Sequence, residues 1–298
     1  MSIVQCVPNF SEGMNQEVVE KIVEAIRSVE GIKVLDYSSD KDHNRTVVTL
    51  VGSKEKIVEG VFQGAKKAAE LIDMTTHKGE HPRMGATDVI PFIPIKDVTM
   101  EECIDLARTL GQRIGEELKI PVYLYEKAAS ATHRTNLAKV RKGEYEGLQE
   151  KMQEDKWKPD YGPSAFNPKS GATAVGARMP LVAFNVNLDT NNIDIANKIA
   201  KNVRHAGGGL HSVKAMGVEL KERGIVQISM NMVDYKKTPL YRAKELIKVE
   251  AQRYGVSVIG SEVIGLVPMD ALIETVDYYL GLEEFKKDQI LENRLFQG

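Results

Sequence analysis

Cysteine is scarce in this 298-residue chain, with only Cys6 and Cys103 present. So few over this length exclude a disulfide scaffold, and stability must come from a packed core. An excess of one charge is also missing: Lys plus Arg total 40 and Asp plus Glu total 42. From Leu181 onward there are 15 basic and 15 acidic residues, leaving 25 and 27 before it. A protein built to hold a nucleic-acid backbone usually carries a basic surplus, and neither half does, local patches aside. No stretch approaches the roughly 20 apolar residues needed to cross a bilayer. The opening Met1-Ser2-Ile3-Val4-Gln5-Cys6-Val7-Pro8 lacks the charged and long apolar regions of a signal peptide. The expected location is the cytosol, with no membrane and no nucleic-acid partner.

What is present is ordinary globular material, 42% hydrophobic and 28% charged. Apolar period predicts strands at Ile3–Val7, Ile32–Tyr37, Arg45–Val51, Asp88–Pro94 and Pro121–Tyr125. Helices are predicted at Gln16–Ser28, Val58–Ile72 and Met100–Leu118, the first with Val19, Ile22, Val23 and Ile26 on one face. A polar stretch, Glu126 to Asp160, follows with few large apolar residues. The loop Tyr161 to Gly171 is marked by its glycines, prolines and serines. Beyond it come strands at Leu181–Leu188, Val213–Leu220, Ile225–Val233 and Val256–Ile259. Helices are expected at Ile193–Arg204, Leu240–Tyr254, Met269–Leu280 and Glu283–Leu295. Both halves read β-α-β-β-α-β, and the first adds a helix and a strand. The expected fold is α/β (α+β): two ferredoxin-like subdomains, 1–180 and 181–298, with a ligand cleft between them. The loop Tyr161 to Gly171 sits at that boundary, where it could line the cleft or serve as a linker.

Chemistry concentrates in His77-Lys78-Gly79-Glu80-His81-Pro82-Arg83-Met84-Gly85. Imidazoles titrate near neutrality and suit proton transfer. The segment also matches H-x-x-E-H, a zinc-peptidase pattern, but that pattern needs both histidines on one helix face. Gly79 and Pro82 argue against a helix. Asp40-Lys41-Asp42-His43-Asn44-Arg45 is rich in hydrogen-bonding groups, and Arg45 could pair with a carboxylate; a solvated hairpin tip is the plainer reading. Asn9-Phe10-Ser11-Glu12-Gly13 lies between a strand and a helix, and Ser11 or Asn9 reads as a helix cap. Gly171 to Arg178 has the glycine spacing of a phosphate loop, but Ala177 and Arg178 stand where Lys and Ser or Thr are required. Gly207-Gly208-Gly209, flanked by His205 and His211, reads as a loop with a weak anion-binding signal. His133 reads as exposed, and Cys6 and Cys103 as packed.

Several of these runs together resemble the glutamate formimidoyltransferase family. They are Val7-Pro8-Asn9-Phe10-Ser11-Glu12-Gly13, Asn44-Arg45-Thr46-Val47, and His77 to Ala86 followed by Asp88-Val89-Ile90-Pro91-Phe92-Ile93-Pro94. Gly162-Pro163-Ser164-Ala165-Phe166 and Gly265-Leu266-Val267-Pro268 complete the set, in order along almost the whole chain. The resemblance implies transfer of a formimino group from N-formimino-L-glutamate to tetrahydrofolate, a co-substrate. The products are 5-formimidoyltetrahydrofolate and L-glutamate, in histidine degradation and one-carbon metabolism. It implies a catalytic role for His81. It also implies a folate-contacting segment at Gly162, Pro163, Ser164, Ala165, Phe166, Asn167, Pro168, Lys169, Ser170 and Gly171. No metal is expected, because the transferred carbon keeps its oxidation level. A homodimer is expected. So is a separate cyclodeaminase for the next step, since animal relatives fuse that domain and the sequence runs only to Gly298.

Position and chemistry alone make Arg45 and Arg83 candidates for the glutamate carboxylates, with Asn9 and His43 adding hydrogen bonds. Three alternatives stay open. The same site could use 5-formyltetrahydrofolate with glutamate, the chain could bind folate without catalysis, or H-x-x-E-H could mark a zinc hydrolase.

Overall fold

The computed structural model of this chain describes residues 2–295, so Met1 and 296–298 of the expected subdomains lie outside it. Packing divides the chain into two compact units, 1–178 and 179–298.

The first unit runs β1 (Ile3–Cys6), β2 (Asn9–Phe10), α1 (Gln16–Arg27), β3 (Lys33–Asp40), β4 (Arg45–Gly52), α2 (Ile57–Leu71), β5 (Thr87–Lys96) and α3 (Met100–Glu117). It continues with β6 (Val122–Glu126), α4 (Leu137–Arg141), α5 (Leu148–Lys151) and β7 (Thr173–Ala177). β1 and β2 form one interrupted strand, broken where Pro8 offers no N–H to a ladder. Both pieces lie between β4 and β5, with Cys6 opposite Leu50 and Phe92 and Asn9 opposite Val47 and Val89. The sheet order is β3-β4-β1/β2-β5-β7-β6, antiparallel up to β5 and parallel from β5 through β7 to β6.

Strand alternation explains how this sheet is covered. Val122 and Leu124 of β6 face the core built with α1, α2 and α3, while Tyr123 and Tyr125 face Val140, Leu148 and Met152 on the other side. Parallel strands are stable only when buried on both faces, and the segment after β6 supplies the second cover. α1 forms because Val19, Ile22, Val23 and Ile26 share a buried stripe and Asn15 accepts from the N–H groups of Glu17 and Val18. α3 starts on a reciprocal cap between Thr99 and Glu102.

The second unit runs β8 (Val182–Leu188), α6 (Ile193–Val203), β9 (Val213–Leu220), β10 (Ile225–Met232), α7 (Leu240–Gln252), β11 (Val258–Ile264), α8 (Met269–Leu280) and α9 (Leu291–Leu295). Its sheet is antiparallel throughout, in the order β11-β8-β10-β9. Ala196, Ile199 and Val203 of α6 and Ala243, Ile247 and Ala251 of α7 pack into its core with Val186 and Ile228. The mixed α/β class expected from apolar period is therefore present in both units.

Several local expectations need correction. The cap of α1 is Asn15, not Ser11 or Asn9; those two are buried within the sheet region. Gly171 to Arg178, where the residues already argued against a phosphate loop, holds a strand that apolar period did not predict: Thr173–Ala177 is a buried parallel strand of small residues. Tyr161 to Gly171 is stitched into the first unit, Tyr161 bridging Val122 and Gly171 bridging Gly85, so it is not a linker between halves. The last strand begins at Val258 rather than Val256, and Glu283–Leu295 is helical only in a 3-10 turn at Lys287–Gln289 and in α9.

Candidate functional site

The segment from His77 to Gly85 carries no helix; it crosses from α2 to β5 as irregular chain. Two glycines let it lie flat. A Cβ on Gly79 would stand 2.4 Å from the His43 carbonyl oxygen, and one on Gly85 would stand 2.3 Å from that of Ala172. Both contacts are against backbone, so neither position accepts a side chain without the loops parting. Ser11 holds the same segment from below: its hydroxyl donates to the Gly85 carbonyl at 2.8 Å and its N–H to Ala86 O at 2.9 Å.

Asn44 joins three stretches of chain. It is buried and sits in the left-handed region at φ 46°, which asparagine tolerates better than most residues. Its Oδ1 accepts from Gly13 N at 2.9 Å and its Nδ2 donates to Lys78 O at 2.8 Å. Its own carbonyl lies 3.0 Å from His77 Nε2.

These contacts separate the two histidines. The Asn44 carbonyl can only accept, so His77 Nε2 is the donor. Arg83 Nε then donates to His77 Nδ1 at 3.3 Å, and both ring nitrogens are occupied. Burial, the larger cause, and the Arg83 charge hold the His77 pKa below its ordinary value. His77 is a fixed, neutral strut. With its nitrogens committed and no shared helix face, the H-x-x-E-H spacing does not build a zinc site here.

His81 is half-buried and differently placed. Arg45 NH1 lies 2.5 Å from its Nε2, while its Nδ1 is buried with no hydrogen-bond partner among the described residues. The His43 ring stands 6.2 Å away at 68°. His43 Nδ1 is 2.9 Å from Asp40 Oδ2, near enough for an ion pair but not aligned as a hydrogen bond. The His81 pKa is pushed down to about 3, first by burial and then by the charges of Arg45, Arg141, His43 and Arg83. The ring is thus neutral at physiological pH. Its surroundings are cationic: Arg141 of α4 is paired with the buried Asp88 of β5, whose Oδ1 also accepts from Met84 N at 3.0 Å. Arg45 has its own pKa lowered, by burial first and by Arg141 second.

Arg83 needs a corrected role. Expected as a substrate ligand, it is buried and forked onto Glu146 at 2.6 and 2.8 Å, with Glu144 at 3.2 Å. That guanidinium is spent on protein carboxylates and braces His77. A cavity of about 480 Å³ opens beside it, lined by Lys78, Gly79, Arg83, Gly143, Glu144 and Glu146. Asn9 lies on β2 with Nδ2 donating to Val7 O at 3.1 Å, so its side chain turns back on its own strand.

The loop from Gly162 to Gly171 meets the histidine segment at one end. Ala86 N donates to Ser170 O, and Ala172 N to Met84 O, each at 2.9 Å. Gly162, Ser164, Ala165, Pro168 and Lys169 are exposed, whereas Pro163, Phe166 and Asn167 are half-buried and Ser170 and Gly171 buried. Tyr145 links the two segments: its hydroxyl donates to Pro168 O at 2.6 Å, its N–H to Arg83 O at 2.9 Å, and its ring lies 5.4 Å from Phe166. The structure therefore gathers His43, Arg45, His81, Arg83 and the end of this loop around one region of the first unit. Sequence reasoning missed Asn44, Asp88, Arg141, Tyr145, Glu144 and Glu146. The last four fall in the stretch dismissed as polar, and Arg141 finds Asp88 across 53 residues, a pairing no local pattern signals. His133 is half-buried, not exposed; its ring packs edge-on against Trp157 at 4.8 Å.

Comparison with known proteins adds to this geometry. Residues 3–178 match the formiminotransferase domain, N-terminal subdomain, and residues 183–295 match the formiminotransferase domain. The chain is 59% identical over 294 residues to a glutamate formimidoyltransferase of Streptococcus pyogenes serotype M1, covering 98% of both chains. It is 52% identical over 297 residues to one from Thermoplasma acidophilum, covering 99% of this chain and 98% of the relative. A formimidoyltransferase-cyclodeaminase of Mus musculus is 46% identical over 305 residues, which span 98% of this chain but 56% of that protein.

Proposed function

The chain belongs to the formiminotransferase family, and from that premise we propose that it transfers the formimino group of N-formimino-L-glutamate to tetrahydrofolate, giving 5-formimidoyltetrahydrofolate and L-glutamate in histidine degradation. The observation that carries this reading is end-to-end likeness to stand-alone glutamate formimidoyltransferases.

Folate N5 attacks the formimino carbon and a tetrahedral intermediate forms. N5 must lose a proton and the departing glutamate nitrogen must gain one, so a single base can serve both steps. His81 takes this role; its neutral ring supports the assignment, while His77 has both ring nitrogens engaged. General acid–base help of this kind is worth roughly 10²- to 10⁴-fold, and holding two substrates together adds an orientation term. Arg45 is the cation offered to a glutamate carboxylate, with His43 close to the same histidine ring. The segment from Gly162 to Gly171 contacts folate, and Tyr145 and Phe166 supply apolar faces beside it. Tetrahydrofolate is consumed as co-substrate, and no redox change occurs at the carbon.

The strand orders support reading each unit as a ferredoxin-like split β-α-β, with the subdomain boundary near residue 180. Cytoplasmic location is supported by two buried, unpaired cysteines; among the described residues no helix is long and apolar enough to cross a membrane. A homodimer is part of the reading, supported by exposed Leu272, Val276 and Leu280 on α8. The product passes to a cyclodeaminase, the activity named in the fused mouse relative.

The test is donor-resolved. The protein is mixed with tetrahydrofolate and N-formimino-L-glutamate, and separately with 5-formyltetrahydrofolate and glutamate. Release of L-glutamate with equimolar 5-formimidoyltetrahydrofolate in the first mixture is expected. Turnover confined to the second mixture contradicts the reading.

A further inference from the structure

The geometry around His81 places a cation where a base needs an open lone pair. A guanidinium can only donate. The 2.5 Å contact from Arg45 NH1 therefore makes Nε2 the acceptor, and the proton of the neutral ring resides on Nδ1. A neutral imidazole has one lone pair, and in this arrangement Arg45 holds it. His81 cannot receive a proton from folate N5 until Arg45 moves.

Arg45 itself is under-satisfied. Its Nε is buried with no partner among the described residues. The nearby carboxylates are engaged elsewhere: Asp88 is paired with Arg141 and Asp40 lies against His43. A buried N–H left unpaired is costly, so the guanidinium has reason to accept a better partner. A carboxylate is that partner, since two charge-assisted N–H···O⁻ bonds outweigh one N–H···N bond to a neutral ring.

We propose that Arg45 is a substrate-operated latch on His81: a carboxylate of the glutamate moiety draws the guanidinium off Nε2, and the lone pair so released is the one that accepts the N5 proton. The proposal rests on the reading of His81 as the base and adds when it can act. The donor must bind before His81 is competent. Until then Arg45 of β4, His43 of the preceding turn, Arg83 of the same segment and Arg141 of α4 all disfavour the protonated ring; Asp88 and Asp40 are the opposing charges, and they act on Arg45. Neutralising Arg45 removes a like charge at contact distance, which shifts a titration by about one to three pH units.

The test uses full-length protein with ¹⁵N-labelled histidine side chains, and L-glutamate as probe because it carries both carboxylates. The His81 signals are assigned by their loss in His81→Gln. In the free protein, His81 is expected as the Nδ1–H tautomer with a hydrogen-bonded Nε2, resisting protonation as pH is lowered to about 5. Saturating L-glutamate is expected to remove the Nε2 hydrogen bond and to raise the protonation midpoint by about one to three pH units. That comparison needs no substitution. In Arg45→Gln the raised midpoint is expected without ligand, and glutamate adds nothing further. His81 signals unmoved by saturating glutamate overturn the latch, as does a folded Arg45→Gln protein whose His81 resists protonation as before. Turnover by the intact protein and its loss in His81→Gln are measured separately. A protein that turns over through His81 but shows no glutamate effect keeps the proposed function and loses the latch; a glutamate effect without turnover does the reverse.

Discussion

Replacing Asn44 probes how the site is held together. Two side-chain hydrogen bonds disappear in Asn44→Ala, one from Gly13 N and one to Lys78 O. Each is worth about 0.5–1.5 kcal/mol, and stranding a buried partner raises the cost toward 1–3 kcal/mol. Alanine also strains the left-handed backbone at φ 46° by about 1 kcal/mol. The expected loss is about 3–5 kcal/mol for Asn44→Ala and about 1 kcal/mol less for Asn44→Gly, which relieves the backbone but not the bonds. Asn44→Asp keeps the acceptor for Gly13 N and falls between wild type and glycine. The single tryptophan, Trp157, lies in the first unit, so urea unfolding followed by its fluorescence reads the right transition. Activity is expected to fall in all three variants, because Asn44 sets the spacing between Arg45 and the histidine segment. An Asn44→Ala protein within 0.5 kcal/mol of wild type, or glycine and alanine variants of equal stability, would refute this account of the residue; both thresholds sit below the smallest loss expected.

Further outcomes follow from the same geometry. Gly85→Ala should lose about 2–4 kcal/mol and most activity, since its Cβ would press on the Ala172 and Ser170 carbonyls and part the two loops; an unchanged urea midpoint contradicts this. The His81 pKa in the folded protein, about 3, lies below its unfolded value of 6.5. The unfolded chain therefore binds the extra proton between those limits, and stability fades as pH falls below about 6.5. At most about 2 kcal/mol disappears between pH 7 and 5 from this ring, less for the solvent screening of a half-buried group. His81→Gln should unfold with a shallower acid dependence, and an identical pH profile rules out this contribution. If Arg45 leaves His81 on donor binding, the acid limb of kcat should lie at higher pH than that of kcat/KM, because the two report bound and free enzyme; coincident limbs speak against it.

Much of the framework was legible because it rests on period. Val19, Ile22, Val23 and Ile26 form the buried face that their spacing predicts; of the face predicted for α3, Cys103, Leu110 and Ile114 are buried and Leu106 is partly buried against the same core. β7 was not legible. Thr173-Ala174-Val175-Gly176-Ala177 is made of small residues because it is buried on both faces and pressed against Tyr125, where a Cβ on Gly176 would meet its carbonyl at 2.6 Å. Small residues and glycines read alike as loop. The stretch from Glu126 to Asp160 was obscure for another reason: α4 and α5 are too short to show a period, and their value lies in distant pairs. Arg141 finds Asp88, and Glu146 finds Arg83 across 63 residues. For the same reason the candidate site was visible as a segment but not as a mechanism. His77 and His81 are the same side chain on one loop, and only their partners distinguish them.

The central claim is that formimino transfer runs through His81. The direct measurement is the rate of L-glutamate release from N-formimino-L-glutamate and tetrahydrofolate, at saturating concentrations of both, for the intact protein and for His81→Ala. Turnover by the intact protein and a fall of roughly 10²- to 10⁴-fold in the variant, with its Trp157 unfolding transition preserved, are predicted. Undiminished release by a folded His81→Ala protein would contradict the claim.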